Sequence, residues 1–222
     1  MAGQSAIPDD PGMDPWPFRH LVLRTPRLEL RPDDDAGMLE LLEVARRGVH
    51  RPEEMPFSMP WTDLPHAEMS LGALQQRWRL RAGHTAASWD LGFLVRHRGR
   101  VIGTQSLMAQ DFAELREVSC GCWYGLEHQG QGFGTEAWAA VLAFAFDHLG
   151  ATHAHAAAFV NNAGSRAVSR KLGYRDNGTR RVLQRDKIAL QVDQRLTPAE
   201  FRRPDWILQV EGLEACRELL GA

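Results

Sequence analysis

Residues 118–135 constrain this chain more than any other stretch. Val118-Ser119-Cys120-Gly121-Cys122-Trp123-Tyr124 reads as a strand, and Gln129-Gly130-Gln131-Gly132-Phe133-Gly134-Thr135 then leads into an apolar helix. A strand that passes through a glycine-rich turn into a helix leaves the first N–H groups of that helix without intrahelical partners. Those donors, with the positive end of the helix dipole, attract a phosphate or pyrophosphate. Glycines at 130, 132 and 134 remove the Cβ atoms that would hold a ligand off the backbone, and they permit positive φ. The pattern predicts a phosphorylated cofactor.

Two common phosphate loops do not fit. A Walker loop requires a lysine directly after its last glycine, and the next lysine here is Lys171. A dinucleotide fingerprint requires G-x-G-x-x-G and an acid about 20 residues further on. This chain has Gly130-x-Gly132-x-Gly134, and Leu149-Gly150-Ala151 carries no acid.

A third pattern does fit. Gln129-x-x-Gly132-x-Gly134 resembles the acyl-CoA loop of the GNAT N-acyltransferases. The longer run Gly130-Gln131-Gly132-Phe133-Gly134-Thr135-Glu136-Ala137 resembles the signature of their RimJ/RimL-like branch. A second block, Asn162 to Tyr174 with Ser165, Val168, Lys171, Leu172 and Gly173, is similar to that branch's N-x-x-S-x-x-V-x-x-K-L-G-F segment. The resemblance covers roughly residues 19–195. It implies a single α+β domain, a central mixed, mostly antiparallel sheet of about seven strands with flanking helices. The fourth and fifth strands, Glu117–Tyr124 and Ala154–Val160, are then expected to splay around the cofactor.

Composition narrows the remaining classes. At 222 residues the chain suits one domain, here 18–222, with an extension over about 200–222. Residues 1–17 contain Pro and Asp but no apolar stretch of the signal-peptide kind, and are expected to form a loose tail. A net charge of −2 gives no basic surplus for nucleic acid, and no apolar run approaches membrane-spanning length. Three cysteines without a C-x-x-C pair argue against a disulfide framework or a zinc site and suit a reducing cytosol. His153 and His155 share a strand face, but two histidines without a third ligand make a poor metal site, and no metal is expected.

Periodicity places the elements around the loop. Leu28 to Leu30 reads as a strand. Asp33 to Asp35 cap a helix with Met38, Leu41, Leu42 and Ala45 on one face, and a second helix runs through Leu71, Leu74 and Trp78 to Gly83. Residues 51–65 are irregular and proline-punctuated. Leu91–Arg96 and Val101–Leu107 read as a hairpin. Trp138, Val141, Leu142, Ala145 and Leu149 define a largely buried helix. A short helix over Ser165–Lys171 closes at Gly173, and 180–195 form the last pair of strands. Trp206 to Val210 could be an edge strand that joins a partner subunit as a homodimer.

The resemblance also implies roles. Backbone N–H groups of Gln131, Gly132, Phe133, Gly134 and Thr135 would hold the coenzyme A pyrophosphate, with Gln129 heading the loop. The main chain of Trp123 and Tyr124 would pair with the pantetheine arm. Asn162 either caps its helix or bonds that arm. Ser165 is expected to protonate the departing sulfur and Glu117 to take the amine proton, with Asp111 and His128 as runners-up. Arg166 and Arg170 either meet the coenzyme phosphates or form a solvated face. Tyr174 packs. The segment Met55–Asp63 is either a packed corner or the wall of the acceptor pocket. The expected activity is acyl transfer from acetyl-CoA to a primary amine; succinyl-CoA as donor is the alternative, and a non-catalytic acyl-CoA sensor is the reading of another class.

Overall fold

The computed structural model describes residues 14–222. In chain order its elements are β1 (Val22–Arg24), β2 (Leu28–Pro32), α1 (Asp35–Arg46), α2 (His66–Ala82), β3 (Ser88–His97), β4 (Arg100–Gln110), α3 (Phe112–Leu115), β5 (Glu117–Tyr124), α4 (Phe133–Ala143), β6 (His153–Phe159), α5 (Ala163–Leu172), β7 (Arg175–Gln184), β8 (Lys187–Leu196), β9 (Gln209–Glu211) and α6 (Arg217–Leu220). The strands form one sheet in the order β7-β8-β6-β5-β4-β3-β2-β1-β9. Nine strands replace the seven or so expected. The additions are β1 and β9, of three residues each, too short to show alternation in sequence.

The two faces of the sheet follow from strand alternation. Phe93 and Val95 of β3 join the main core beneath α4, whereas Leu94 faces Met38 and Leu41 of α1. Asp34 is the α1 cap, its Oδ1 accepting the Gly37 N–H at 2.6 Å. α2 is held differently. Met69 is its one buried side chain, while Leu71 and Trp78 are exposed. Arg77 and Arg81 fasten it by ion pairs to the buried Asp33, with Arg77 also on Asp90. The β3–β4 hairpin turns at Arg98 and Gly99, both with positive φ, the geometry that matches strand twist.

α4 is buried along most of its length and continues into a π-helical turn, Phe144–His148. There the Leu149 N–H donates to the Phe144 carbonyl at 3.2 Å. Of the expected tail, residues 1–13 lie outside the described residues; Trp16 packs against the core and Pro17 is buried. The C-terminal stretch also joins the main core, through Phe201, Leu208, Leu213, Cys216 and Leu220. The edge strand read at 206–210 is confined to Gln209–Glu211, which pairs with β1, Val22 opposite Glu211, and stands at the edge of the sheet.

β5 and β6 are the parallel neighbours in this sheet, and they separate. Pairing runs from Glu117–His153 to Ser119–His155 and then stops, although β5 continues to Tyr124 and β6 to Phe159. The expected splay is therefore present, with its apex at Ser119 and His155 and its mouth at the C-terminal ends of both strands.

Candidate active site

The glycine turn sits at the mouth of this gap. Gly130 and Gly132 take φ of 73° and 83°, and Gly132 is the N-cap of α4. The first intrahelical bond runs from the Glu136 N–H to the Gly132 carbonyl at 3.0 Å. Among the described residues no protein acceptor meets the backbone N–H groups of residues 130–135. Residues 129–132 are exposed, so the donors of 130–132 face solvent at a helix N-terminus. A pyrophosphate fits here on hydrogen-bonding grounds alone.

The side chains around the turn fix its shape. Gln129 Nε2 donates to the Val49 carbonyl at 2.7 Å and the Tyr124 carbonyl at 2.8 Å, which ties the turn to the end of β5. Gln131 Nε2 donates to the Glu127 carbonyl. The Phe133 side chain is buried beneath His97 and the Arg27 guanidinium, whose carbon stands 4.7 Å from the ring centroid. Glu136, 8 % exposed, accepts from Thr25 Oγ1 at 2.6 Å, the Arg27 N–H at 3.0 Å and Arg27 Nε at 2.6 Å. This clamp locks the first turn of α4 to the β1–β2 turn. It also sets a cation beside the loop: a Cβ on Gly132 would lie 3.3 Å from Arg27 Nη2. Gly134 answers a packing need, since a Cβ there would stand 3.3 Å from the Tyr124 ring.

Inward from the mouth, β5 bonds β4 on one side while its other edge is unpaired beyond Ser119. Five residues, 120–124, border the gap and span about 16 Å at the usual strand rise. That edge offers main-chain groups to an extended ligand, although the Tyr124 carbonyl is already engaged by Gln129. Burial pushes the Cys120 and Cys122 thiols up to about 12, so both stay protonated at neutral pH. Tyr124 and Tyr174 are raised well above the ordinary phenol value by burial, and Trp138 Nε1 donates to the Tyr174 hydroxyl at 3.3 Å. Tyr174 packs, as expected.

On the face opposite α4, Trp123 packs at a tilt against Trp61, ring centroids 5.4 Å apart, and Trp61 against Phe57 at 5.0 Å. The β7–β8 hairpin clasps the same segment. Gln184 donates to the Met55 and Phe57 carbonyls, Gln191 to Ser58 Oγ, and Arg185 pairs with Asp63 through two contacts of 2.6 Å. Residues 55–63 are thus packed between Trp123 of β5 and the β7–β8 hairpin, the packed-corner reading of this segment.

The groups suggested for proton transfer come from different elements. Asn162 Oδ1 accepts the Ser165 N–H at 3.0 Å, so Asn162 caps α5, and no described residue bonds the Ser165 hydroxyl. Because α5 follows β6 closely, Ser165 stands on the mouth side. Glu117 lies beyond the apex, with Oε2 3.3 Å from His155 Nε2. Asp111 is the N-cap of α3, and His128 lies 3.5 Å from Glu127 before the glycine turn. Arg166 pairs with Asp176 at 3.1 Å, and Arg170 is exposed.

Residues 21–175 match the family profile described as the acetyltransferase (GNAT) domain. The chain belongs to the GNAT family. As such it is an acyl-CoA-dependent N-acyltransferase. Solved GNAT structures share its fold at low identity. Mycobacterium smegmatis RimJ, in complex with CoA-disulfide, aligns with a TM-score of 0.68 and 19% identity, over 90% of this chain and 94% of RimJ. RimL, the ribosomal L7/L12 α-N-protein acetyltransferase, in complex with coenzyme A, aligns at 0.64 and 15%, over 78% of this chain and 95% of RimL. A GCN5-related N-acetyltransferase from Brucella melitensis aligns at 0.64 and 18%, over 81% and 79%. Among the described residues, no helix is long and apolar enough to cross a membrane.

Three features of this GNAT site escaped the sequence reading. Thr25 and Arg27 reach Glu136 across 111 and 109 residues, a contact with no local signature. Trp61 meets Trp123 through an irregular segment whose path periodicity does not fix. His155 meets Glu117 only because of the parallel register of β5 and β6; the shared face of His153 and His155 was legible, and its neighbour was not.

Proposed function

We propose that this GNAT protein transfers an acetyl group from acetyl-CoA to a primary amine, by direct attack of the amine on the thioester carbon. One observation carries the reading: a run of free N–H donors, 130–135, lies at the mouth of a gap whose inner edge, β5 beyond Ser119, is unpaired. The pyrophosphate rests on those donors, assisted by Arg27. The pantetheine arm follows the main chain of Trp123 and its neighbours inward, which brings the acyl group towards the apex. Backbone N–H groups on the unpaired edge of β5 face the thioester oxygen as charge develops there. Ser165, whose hydroxyl is free among the described residues, returns a proton to the departing sulfur. Glu117 receives the proton lost by the amine, directly or through an intervening group. Three unpaired cysteines suit a reducing cytosol.

The acceptor enters along the face walled by residues 55–63. A protein N-terminus, the kind of acceptor in RimL's name, is the first to test. One observation favours a second donor: Arg195 lies directly opposite His155 on the same face, a cation that a carboxylated acyl group such as succinyl could meet. Thermal shifts with acetyl-CoA and succinyl-CoA rank the two, because ligand affinity appears as added stability.

The test of the activity is coenzyme A release by wild type and Ser165→Ala. The amine panel comprises Ala-, Ser- and Met-initiated peptides, Nα-acetyl-lysine, spermine and kanamycin. The reading predicts turnover with at least one amine, and a fall of about tenfold or more in Ser165→Ala with unchanged coenzyme A affinity. Tight coenzyme A binding with no turnover on any amine would refute it.

A further inference from the structure

The geometry points to His155 as the group that removes the amine proton, with Glu117 as the carboxylate that positions it. This rests on the proposed reaction and deepens it: the imidazole, standing beside Glu117, takes the amine proton in that carboxylate's place. His155 is paired with Ser119, the last pair before the strands part, so its ring borders the apex where the acyl group arrives. On the face shared by Glu117, Ser119 and Trp123, the Glu117 carboxylate lies diagonally across from it, Oε2 to Nε2 3.3 Å. The Nε2 atom is buried and has no hydrogen bond of good geometry, so a small swing of either side chain completes that bond. No described residue partners Nδ1, and 37% of the side chain is exposed, against 43% for Glu117.

A carboxylate beside Nε2 places the proton of the neutral ring on that nitrogen and leaves the Nδ1 lone pair to accept another. The charged or titratable groups nearest on this face are His153 on β6, Asp193 and Arg195 on β8, and Arg175 and Arg180 on β7, opposite Arg195 and Gln191. Asp193 is engaged by Arg180 at 3.4 Å and Arg175 by Glu200 at 2.8 Å, which leaves Glu117 as the carboxylate against the imidazole.

The step balances. An N–H bond of the ammonium breaks and its proton moves to Nδ1, where Glu117 stabilises the imidazolium. The freed nitrogen pair forms the C–N bond at the thioester carbon, and the C–S bond then breaks. The second amine proton ends on sulfur through Ser165, and the proton on Nδ1 leaves to solvent. One acyl group is transferred and one net proton released.

The experiment uses the full chain, acetyl-CoA and the best amine of the panel above. In wild type, kcat/KM is expected to rise with pH through one inflection. His155→Gln should lose that inflection and fall about 100-fold, with coenzyme A affinity unchanged. Glu117→Gln should keep the inflection and lower kcat more than it changes KM, because the carboxylate no longer orients the ring. Nitrogen-15 spectra of the histidines give an independent readout: in wild type the neutral His155 ring should carry its proton on Nε2, and in Glu117→Gln this preference should weaken. The proposal is overturned if His155→Gln keeps the wild-type profile, if Glu117→Gln alone abolishes the inflection, or if the ring carries its proton on Nδ1. An inactive wild type that binds coenzyme A would instead defeat the reaction itself, and this inference with it.

Discussion

Gly132→Ala isolates what the coenzyme loop costs and what it supplies. Gly132 has φ of 83°, a conformation that costs an L residue about 1–2 kcal/mol. Alanine recovers part of this by restricting the unfolded chain, so the net loss is about 1 kcal/mol. If the loop keeps its shape, that loss appears in unfolding, as about 2–4 °C in Tm for a chain of this size. If the loop relaxes to relieve the strain, the same energy is spent on reordering it at binding, about fivefold in Kd. The new Cβ also stands 3.3 Å from Arg27 Nη2, so the guanidinium must retreat from the loop, which adds to the loss of affinity. Gly150→Ala is the control: its φ is 76°, a Cβ there has no neighbour within 4 Å, and it follows the π-helical turn at the far end of α4 from the loop. Calorimetric titration with coenzyme A and thermal unfolding of both variants give the two quantities. Both should lose similar stability, and only Gly132→Ala should lose affinity, by about fivefold or more. Equal affinity in Gly132→Ala and wild type would refute the reasoning.

Two further outcomes follow from buried charge. Glu136→Ala removes three hydrogen bonds to a buried carboxylate; with Arg27 nearly half exposed, the net loss is about 2 kcal/mol, or about 4–8 °C in Tm. Coenzyme A affinity should fall as well, because Arg27 is no longer held over Phe133, and a thermal scan with and without the ligand checks both. His84 is half-buried, and this desolvation lowers its pKa in the fold despite the Leu219 carbonyl 2.9 Å from Nε2. The unfolded chain therefore binds the proton more readily, and this contribution to stability, intact above the ordinary imidazole range, is lost as pH falls from there towards the folded value. Urea midpoints at pH 7 and pH 5 should differ less in His84→Gln than in wild type, and an equal difference would contradict the sign.

What could be read from residues alone was local. The glycine turn, the helix behind it, the Asp34 cap and the β3–β4 hairpin each announce themselves within a dozen residues. The splay of β5 and β6 came from resemblance, because nothing in either strand says where pairing must stop. The Glu117–His155 contact depends on a parallel register that no pattern in one strand encodes. β1 and β9 pair across most of the chain, and three residues show no alternation. α2 shows why apolar spacing can mislead: Leu71 and Trp78 follow helical periodicity, yet buried Asp33 and its two arginines orient the helix. Gln129 and Asn162 hold backbone in place, so a motif match predicted their presence better than the atoms they touch.

The central claim concerns backbone amides, and nitrogen-15 spectra recorded during a coenzyme A titration observe them directly. The amide signals of Gly130 to Thr135 should shift with saturation and gain protection from hydrogen exchange, while glycines remote from the gap, such as Gly150 and Gly178, stay in place. Saturable binding that left the 130–135 amides unmoved would contradict the account.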